Sequence, residues 1–360
     1  MYRKVQVALL IVLPLILLGA DSVNACSYFF LNAKDGSVIS ARTDEFYSET
    51  DSKLELVPRG ISFTSTAPQG AVPVSWKTKY GFVAISMFGN MFGEGLNEKG
   101  LATGGLWFGD VKYPDIKPGD QAISVKDIVG WVLGNFQTVV EVRQALPKVK
   151  MWSDAANELK MILPIHIYIT DASGDSIVVE YIDGALKIWD NRANGVMTNE
   201  PDLGWHLGNL RFYSNMNPHG LPIPELNDDV WSLGTGLLGM PGDYTNAGRF
   251  VRLSLLKYFS IQPKDASSGV ILAEHIMNNV DIPYGPQLWI QGQQGFTQWT
   301  IWTVIYDHTG KYFYYRTYDN PTLRRFDLSR LPFAEGNERK QIEIFGGYAY
   351  EDDTSRWLSP

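Results

Sequence analysis

Cys26 is the only cysteine in 360 residues, and it stands where an apolar leader ends and strand-like sequence, CSYFFLNA, begins. Residues 1–25 have the three parts of a secretory signal. Arg3 and Lys4 form the positive end, VALLIVLPLILLGA is the apolar core, and DSVNA ends in a small residue. Cleavage after Ala25 makes Cys26 the first residue of the mature chain. A lone cysteine in an exported chain has no intrachain disulfide partner. At a chain terminus it gains an α-amine of pKa roughly 7.7–8.0. Beside that amine is a thiol that titrates at about 8.5 and reacts as the thiolate. One residue then supplies both nucleophile and base.

A rival chemistry is lipid attachment, because VNAC loosely matches a lipoprotein cleavage box. That reading makes the chain a non-catalytic, ligand-binding surface lipoprotein. Against it, Asn24 is a poor residue before the small one, and Asp21 and Ser22 separate the apolar core from Cys26. The chain also runs from Cys26 directly into SYFFLN, where a lipoprotein carries a polar tether. The free thiol is the reading adopted. The leader contains Pro14 and is short for a membrane span, and no second run of spanning length follows. The mature chain, residues 26–360, is expected to form a single exported domain, periplasmic or secreted, without a stable membrane span.

Other chemistries lack residues. His166, His206, His219, His275 and His308 are scattered without metal-ligand spacing. There is no GxSxG elbow, phosphate loop or dinucleotide fingerprint, so neither a metal nor a cofactor is expected. The net charge of −8, with no Lys/Arg cluster, argues against a nucleic-acid partner, which would need a basic footprint.

The elements that must position Cys26 are mostly strands. CSYFFLNA, VISARTDEF and KLELVPRG read as strands separated by turns, followed by GFVAISMFG and GLATGGLWF. SVKDIVGWVLGNF and TVVEVRQAL read as helices, with capping patterns from Ser124 to Asp127 and from Thr138 to Glu141. PIHIYITDASGDSIVVEYIDGALKIWDN reads as three strands with turns at 171–175 and 183–184. GRFVRLSLLKYFS and SSGVILAEHIMNNV are amphipathic helices, and TQWTIWTVIYDHTGKYFYYRTYDN is a long hairpin turning at Asp307–Gly310. Two sets of strands with helices around them suggest stacked sheets, an α+β architecture.

The ordered motifs ARTDEFYSETDSKLELVPRG, GLNEKGLATGGLWF, ITDASGDSIVVE, GVMTNEPDLGWHLGNL, MPGDYTNAGRFVR and TQWTIWTVIYD add to Cys26. Together the set resembles the choloylglycine hydrolase family of linear amide C–N hydrolases, over residues 26 to about 330. The resemblance implies the N-terminal nucleophile hydrolase fold, a four-layer αββα sandwich of two stacked, mainly antiparallel sheets. It implies that Cys26 is the nucleophile and its α-amine the general base and later acid. Arg42 would sit against the thiol; on position alone it is more simply an ion-pair partner of Asp44 or Glu45. The acidic partner of the α-amine falls at Glu45 by register with the family. Strand alternation instead puts Arg42 and Asp44 on one face and Glu45 on the other. Asn199 would donate to the tetrahedral oxyanion through its side chain, Trp107 through its backbone N–H, and Arg249 would be a second active-site arginine.

Phe46, Trp107 and Phe108 are the expected walls of an apolar acyl pocket. Trp107 replaces an asparagine common in bile salt hydrolases. With the export signal, it directs the sequence reading first to penicillin V acylases and acyl-homoserine lactone acylases. Bile salt hydrolysis is second. The expected partner is a small-molecule N-acyl amide, and the resemblance also implies a homotetramer.

Overall fold

Alternating apolar patterns build two large antiparallel sheets. A computed structural model describes residues 25–89, 91–154, 161–219, 234–291 and 294–347. The expected leader lies outside the described residues except for Ala25, which is buried and joined to Cys26. The strands that matter here are β1 (Cys26–Asn32), β2 (Val38–Phe46), β3 (Lys53–Val57), β4 (Phe82–Met87), β5 (Met91–Asn97) and β6 (Ala102–Trp107). They continue with β7 (Ile165–Thr170), β8 (Ser176–Ile182), β9 (Ala185–Asp190), β10 (Val196–Met197), β11 (Gln287–Gln291), β12 (Gln294–Asp307), β13 (Tyr312–Thr317), β14 (Asn320–Asp327) and β15 (Lys340–Glu343). The helices are α1 (Ile128–Asn135), α2 (Val139–Ala145), α3 (Leu203–Leu210), α4 (Asn246–Phe259) and α5 (Ala266–Met277).

A seven-stranded sheet runs in the order β10-β1-β2-β12-β13-β14, with β11 pairing to β12. An eight-stranded sheet runs β9-β8-β7-β6-β5-β4-β3-β15. Within each, neighbouring strands are antiparallel. α4 and α5 cover the outer face of the first sheet, and α1 covers the second. The result is the expected αββα sandwich. α5 comes very close to β2, because a Cβ built on Gly269 would lie 2.9 Å from Ile39 Cγ1. One core fills the space between the sheets and under α4 and α5, around Tyr28, Phe30, Leu106, Trp302 and Tyr306. A second lies beneath α1, around Phe92, Val132 and Ile167.

Local signals set several elements. β2 spans the whole of VISARTDEF. The β8–β9 hairpin turns on Asp183 and Gly184, both at positive φ, as a tight hairpin of right-handed twist needs. Thr138 caps α2 by accepting from the Glu141 amide. The capping pattern expected at Ser124 does not form. The residue before α1 is Asp127, which makes no side-chain cap. Its carboxylate accepts instead from the Ser65 hydroxyl at 2.7 Å. β5 and α3 are absent from the sequence reading. β5 carries two glycines among seven residues and is buried throughout, so it shows no polar alternation.

Candidate active site

Cys26 opens β1, and the β1–β2 register sets it opposite Asp44, with Tyr28 opposite Arg42. Side chains on one face of a strand recur every second residue, so Arg42 and Asp44 both face the space between the sheets. There they meet the thiol. Arg42 Nη2 donates to Cys26 Sγ at 3.5 Å, to Asp44 Oδ1 at 2.8 Å and to Gly105 O at 2.9 Å. Asp44 Oδ1 lies 3.7 Å from the same sulfur. The other sheet closes the arrangement. Glu94 of β5 pairs with Arg42 Nε at 2.8 Å, and the guanidinium rests 4.7 Å from the Trp302 ring centroid. Tyr306 Oη donates to the remaining Glu94 oxygen at 2.6 Å.

The main chain of Cys26 is bound on the opposite side. Its nitrogen donates to Asn199 Oδ1 at 2.8 Å. Arg249 of α4 donates to Cys26 O at 2.6 Å, Ser27 Oγ at 2.7 Å and Asn199 Oδ1 at 2.7 Å. Asn199 Nδ2 donates to Trp107 O at 2.9 Å. An amide nitrogen carries two hydrogens, so one remains for another acceptor.

The structure thus brings together Cys26, Arg42, Asn199, Arg249 and the main chain of Trp107. The other predicted residues lie around this group. Glu45 is buried and accepts from Thr300 at 2.7 Å. The carboxylate beside Cys26 Sγ is Asp44, on the face that strand alternation shares between Arg42 and Asp44. With Ala25 attached, the Cys26 peptide N–H has Asn199 as its partner. Phe108 is buried, stacks on His166 at 4.7 Å and lines a cavity with Gly109, Val111 and Asp202. Phe46 packs with Tyr47 at 4.3 Å and Phe88 at 5.3 Å, two residues beyond the strand position facing Cys26. Trp107 is only partly buried. Sequence reasoning missed Glu94, whose contact with Arg42 crosses from one sheet to the other and has no local signature.

The electrostatics favour a protonated thiol in the unprocessed chain. Burial pushes the Cys26 thiol up to about 12; Arg42 opposes this, while the Asp44 and Glu45 carboxylates reinforce it. An ionised sulfur therefore needs a local base, which a peptide nitrogen cannot be. A terminal amine can.

Burial also holds the Glu45 carboxyl up at about 8, against the lowering effect of Arg249 and Thr300. Glu94 is likewise raised, to about 7, by burial, against Arg42. A carboxyl raised on folding binds its proton more tightly in the native state. Its stabilising contribution is complete below the ordinary carboxyl range and is lost as pH rises through the folded value. Thermal melts are expected to fall between about pH 5 and pH 8. Glu45→Gln is expected to flatten part of that decline, with Glu94 supplying the rest; an unchanged slope would contradict this origin.

Residues 26–340 match the model of linear amide C–N hydrolases, choloylglycine hydrolase family. The chain belongs to the choloylglycine hydrolase family. This family membership makes the chain a hydrolase of linear amide C–N bonds. It is 32% identical over 324 residues to the bile salt hydrolase/transferase of Clostridium perfringens, covering 88% of this chain and 95% of that protein. It is 28% identical over 351 residues to the penicillin V acylase of Pectobacterium atrosepticum, covering 91% and 87%. A mutant conjugated bile acid hydrolase from Clostridium perfringens, solved as a crystal structure, superposes with a TM-score of 0.76 at 29% identity, covering 88% of this chain and 96% of that one. Among the described residues, no group of three or more His, Cys, Asp and Glu could hold a metal, and no helix is long and apolar enough to cross a membrane.

Proposed function

We propose that this choloylglycine-family chain is exported, loses residues 1–25 and hydrolyses N-acyl amides with Cys26 as nucleophile. The observation that carries the reading is the meeting of Cys26 Sγ with Arg42 and Asp44 while Cys26 N is bonded to Asn199. Once Ala25 is removed, the freed α-amine takes the thiol proton. The thiolate attacks the substrate carbonyl, and Arg42 offsets the sulfur's negative charge at the outset. The oxyanion accepts from the second Asn199 Nδ2 hydrogen and from the Trp107 backbone N–H. Collapse breaks the C–N bond as the α-ammonium returns its proton to the leaving nitrogen. This leaves a thioester and a neutral amine. Water then attacks the thioester and passes its proton by way of the amine to sulfur, releasing the acid and restoring the thiol.

For the acyl group, the relatives favour conjugated bile acids over the first choice from sequence. The aromatic group Phe46, Tyr47 and Phe88 supports penicillin V as a second reading. The test is a panel of glyco- and tauro-conjugated bile salts, penicillin V and acyl-homoserine lactones, assayed on chain beginning at Cys26. Turnover of at least one class is expected from that chain, and none from chain still carrying Ala25. Equal turnover by both forms would remove the α-amine from the mechanism. An intact mass showing a diacylglyceryl adduct on Cys26 would favour the lipoprotein instead.

A further inference from the structure

The segment carrying Asn199 is not held by a strand ladder. β10 ends at Met197, yet Thr198 and Asn199 are buried, and buried carbonyls need donors. Side chains supply them. His166 Nε2 lies 2.9 Å from Thr198 O, and His206 Nε2 lies 3.0 Å from Asn199 O. Asn246 Nδ2 donates to the next carbonyl, Glu200 O, at 2.9 Å. A carbonyl only accepts, so each imidazole presents an N–H at Nε2.

Both rings are themselves fixed. His166 Nδ1 is 3.0 Å from Glu180 Oε1, and Glu180 also accepts from the Leu203 amide at 3.1 Å and Trp189 Nε1 at 2.6 Å. His206 stacks on Phe250 of α4 at 4.6 Å. Its Nδ1 is buried without a partner, as suits a neutral ring with its hydrogen on Nε2. Burial agrees, pulling His206 down to about 4. The held segment ends in the side chain that spans Cys26 N, Arg249 and Trp107 O.

We infer that His166 and His206 are positioning residues for amide hydrolysis, holding the main chain of Thr198 and Asn199 so that the Asn199 side-chain amide is aimed at the developing oxyanion. The inference rests on the function proposed above. Neither ring touches the thiol. Their loss should therefore weaken transition-state stabilisation while leaving the nucleophile intact.

The test uses processed chain with two readouts: turnover of whichever bile-salt conjugate or penicillin V the parent hydrolyses, and alkylation of Cys26 by iodoacetamide. His206→Met keeps the bulk and removes the donor. It is expected to lower kcat roughly tenfold to a hundredfold, somewhat less than outright loss of an oxyanion donor, with KM within about twofold of the parent. His206→Gln restores an N–H with similar reach and is expected to recover kcat to within about threefold. Alkylation should match the parent in both variants. Parent-like kcat in His206→Met, equal losses in the two variants, or alkylation falling in step with kcat would each overturn the inference. Should His206→Met fail to fold, Glu180→Gln tests the other ring: lowered kcat with parent alkylation supports the inference, and unchanged kcat overturns it. A parent that is alkylated but turns over none of the panel would overturn the substrate classes proposed above, and the inference with them.

Discussion

Processed chain carrying Cys26→Ala is expected to lose hydrolysis of every panel substrate, by roughly 10⁶-fold in kcat if the nucleophile acts as one unit with its base. No second cysteine can replace it. Arg42, Asp44 and Asn199 would keep their places, since they are held by bonds to one another and to Gly105, Trp107 and Arg249. Stability is therefore expected to move by about 1 kcal/mol or less, because the change removes one sulfur and leaves no charge unpaired. Activity falling with an unchanged melt would assign the loss to chemistry. Residual turnover near the parent rate would exclude Cys26 as nucleophile.

Arg42→Met is expected to be damaging in two ways at once. Arg42 is 1% exposed and pairs with both Asp44 and Glu94. Removing it strands two buried carboxylates, and breaking one buried pair in this manner typically costs about 3–5 kcal/mol. The carboxyls can partly escape by taking up protons, so the loss should be smaller at low pH. The thiol loses the cation that most opposes its burial, with Arg249 the one left in range. Iodoacetamide alkylation at neutral pH is expected to slow, and kcat/KM to fall by roughly 10²–10³. Arg42→Lys should recover little, because a single ammonium cannot reproduce the fork that reaches Cys26, Asp44, Glu94 and Gly105 together. Parent-like alkylation in Arg42→Met would show that the thiolate is stabilised elsewhere.

The two carboxylates beside Arg42 illustrate how far local pattern reaches. Alternation along VISARTDEF correctly groups Arg42 with Asp44, because a pleat of period two is a property of the strand alone. Family register pointed to Glu45 as partner of the α-amine, and its carboxylate also accepts from Thr300. The surroundings of Phe108 were hidden for a related reason. Adjacency to Trp107 says nothing about which face of the sheet a ring occupies, and here that face holds His166. Dismissal of the histidines followed from looking for metal spacing, whereas His166 and His206 act on backbone carbonyls, a role that leaves no motif.

The sequence by itself determined the lone thiol that follows an apolar run, the main strands and helices, and the shared face of Arg42 and Asp44. These depend on composition and on periods of two or 3.6 residues, which local residues express without any partner. Tertiary structure alone decided that Glu94 backs Arg42 from the second sheet, that Asn199 receives the Cys26 nitrogen, and that Arg249 reaches both. Those contacts join residues far apart in the chain through the stacking of two sheets and the docking of α4. Their distances follow from how whole layers pack, and no short stretch of sequence encodes them.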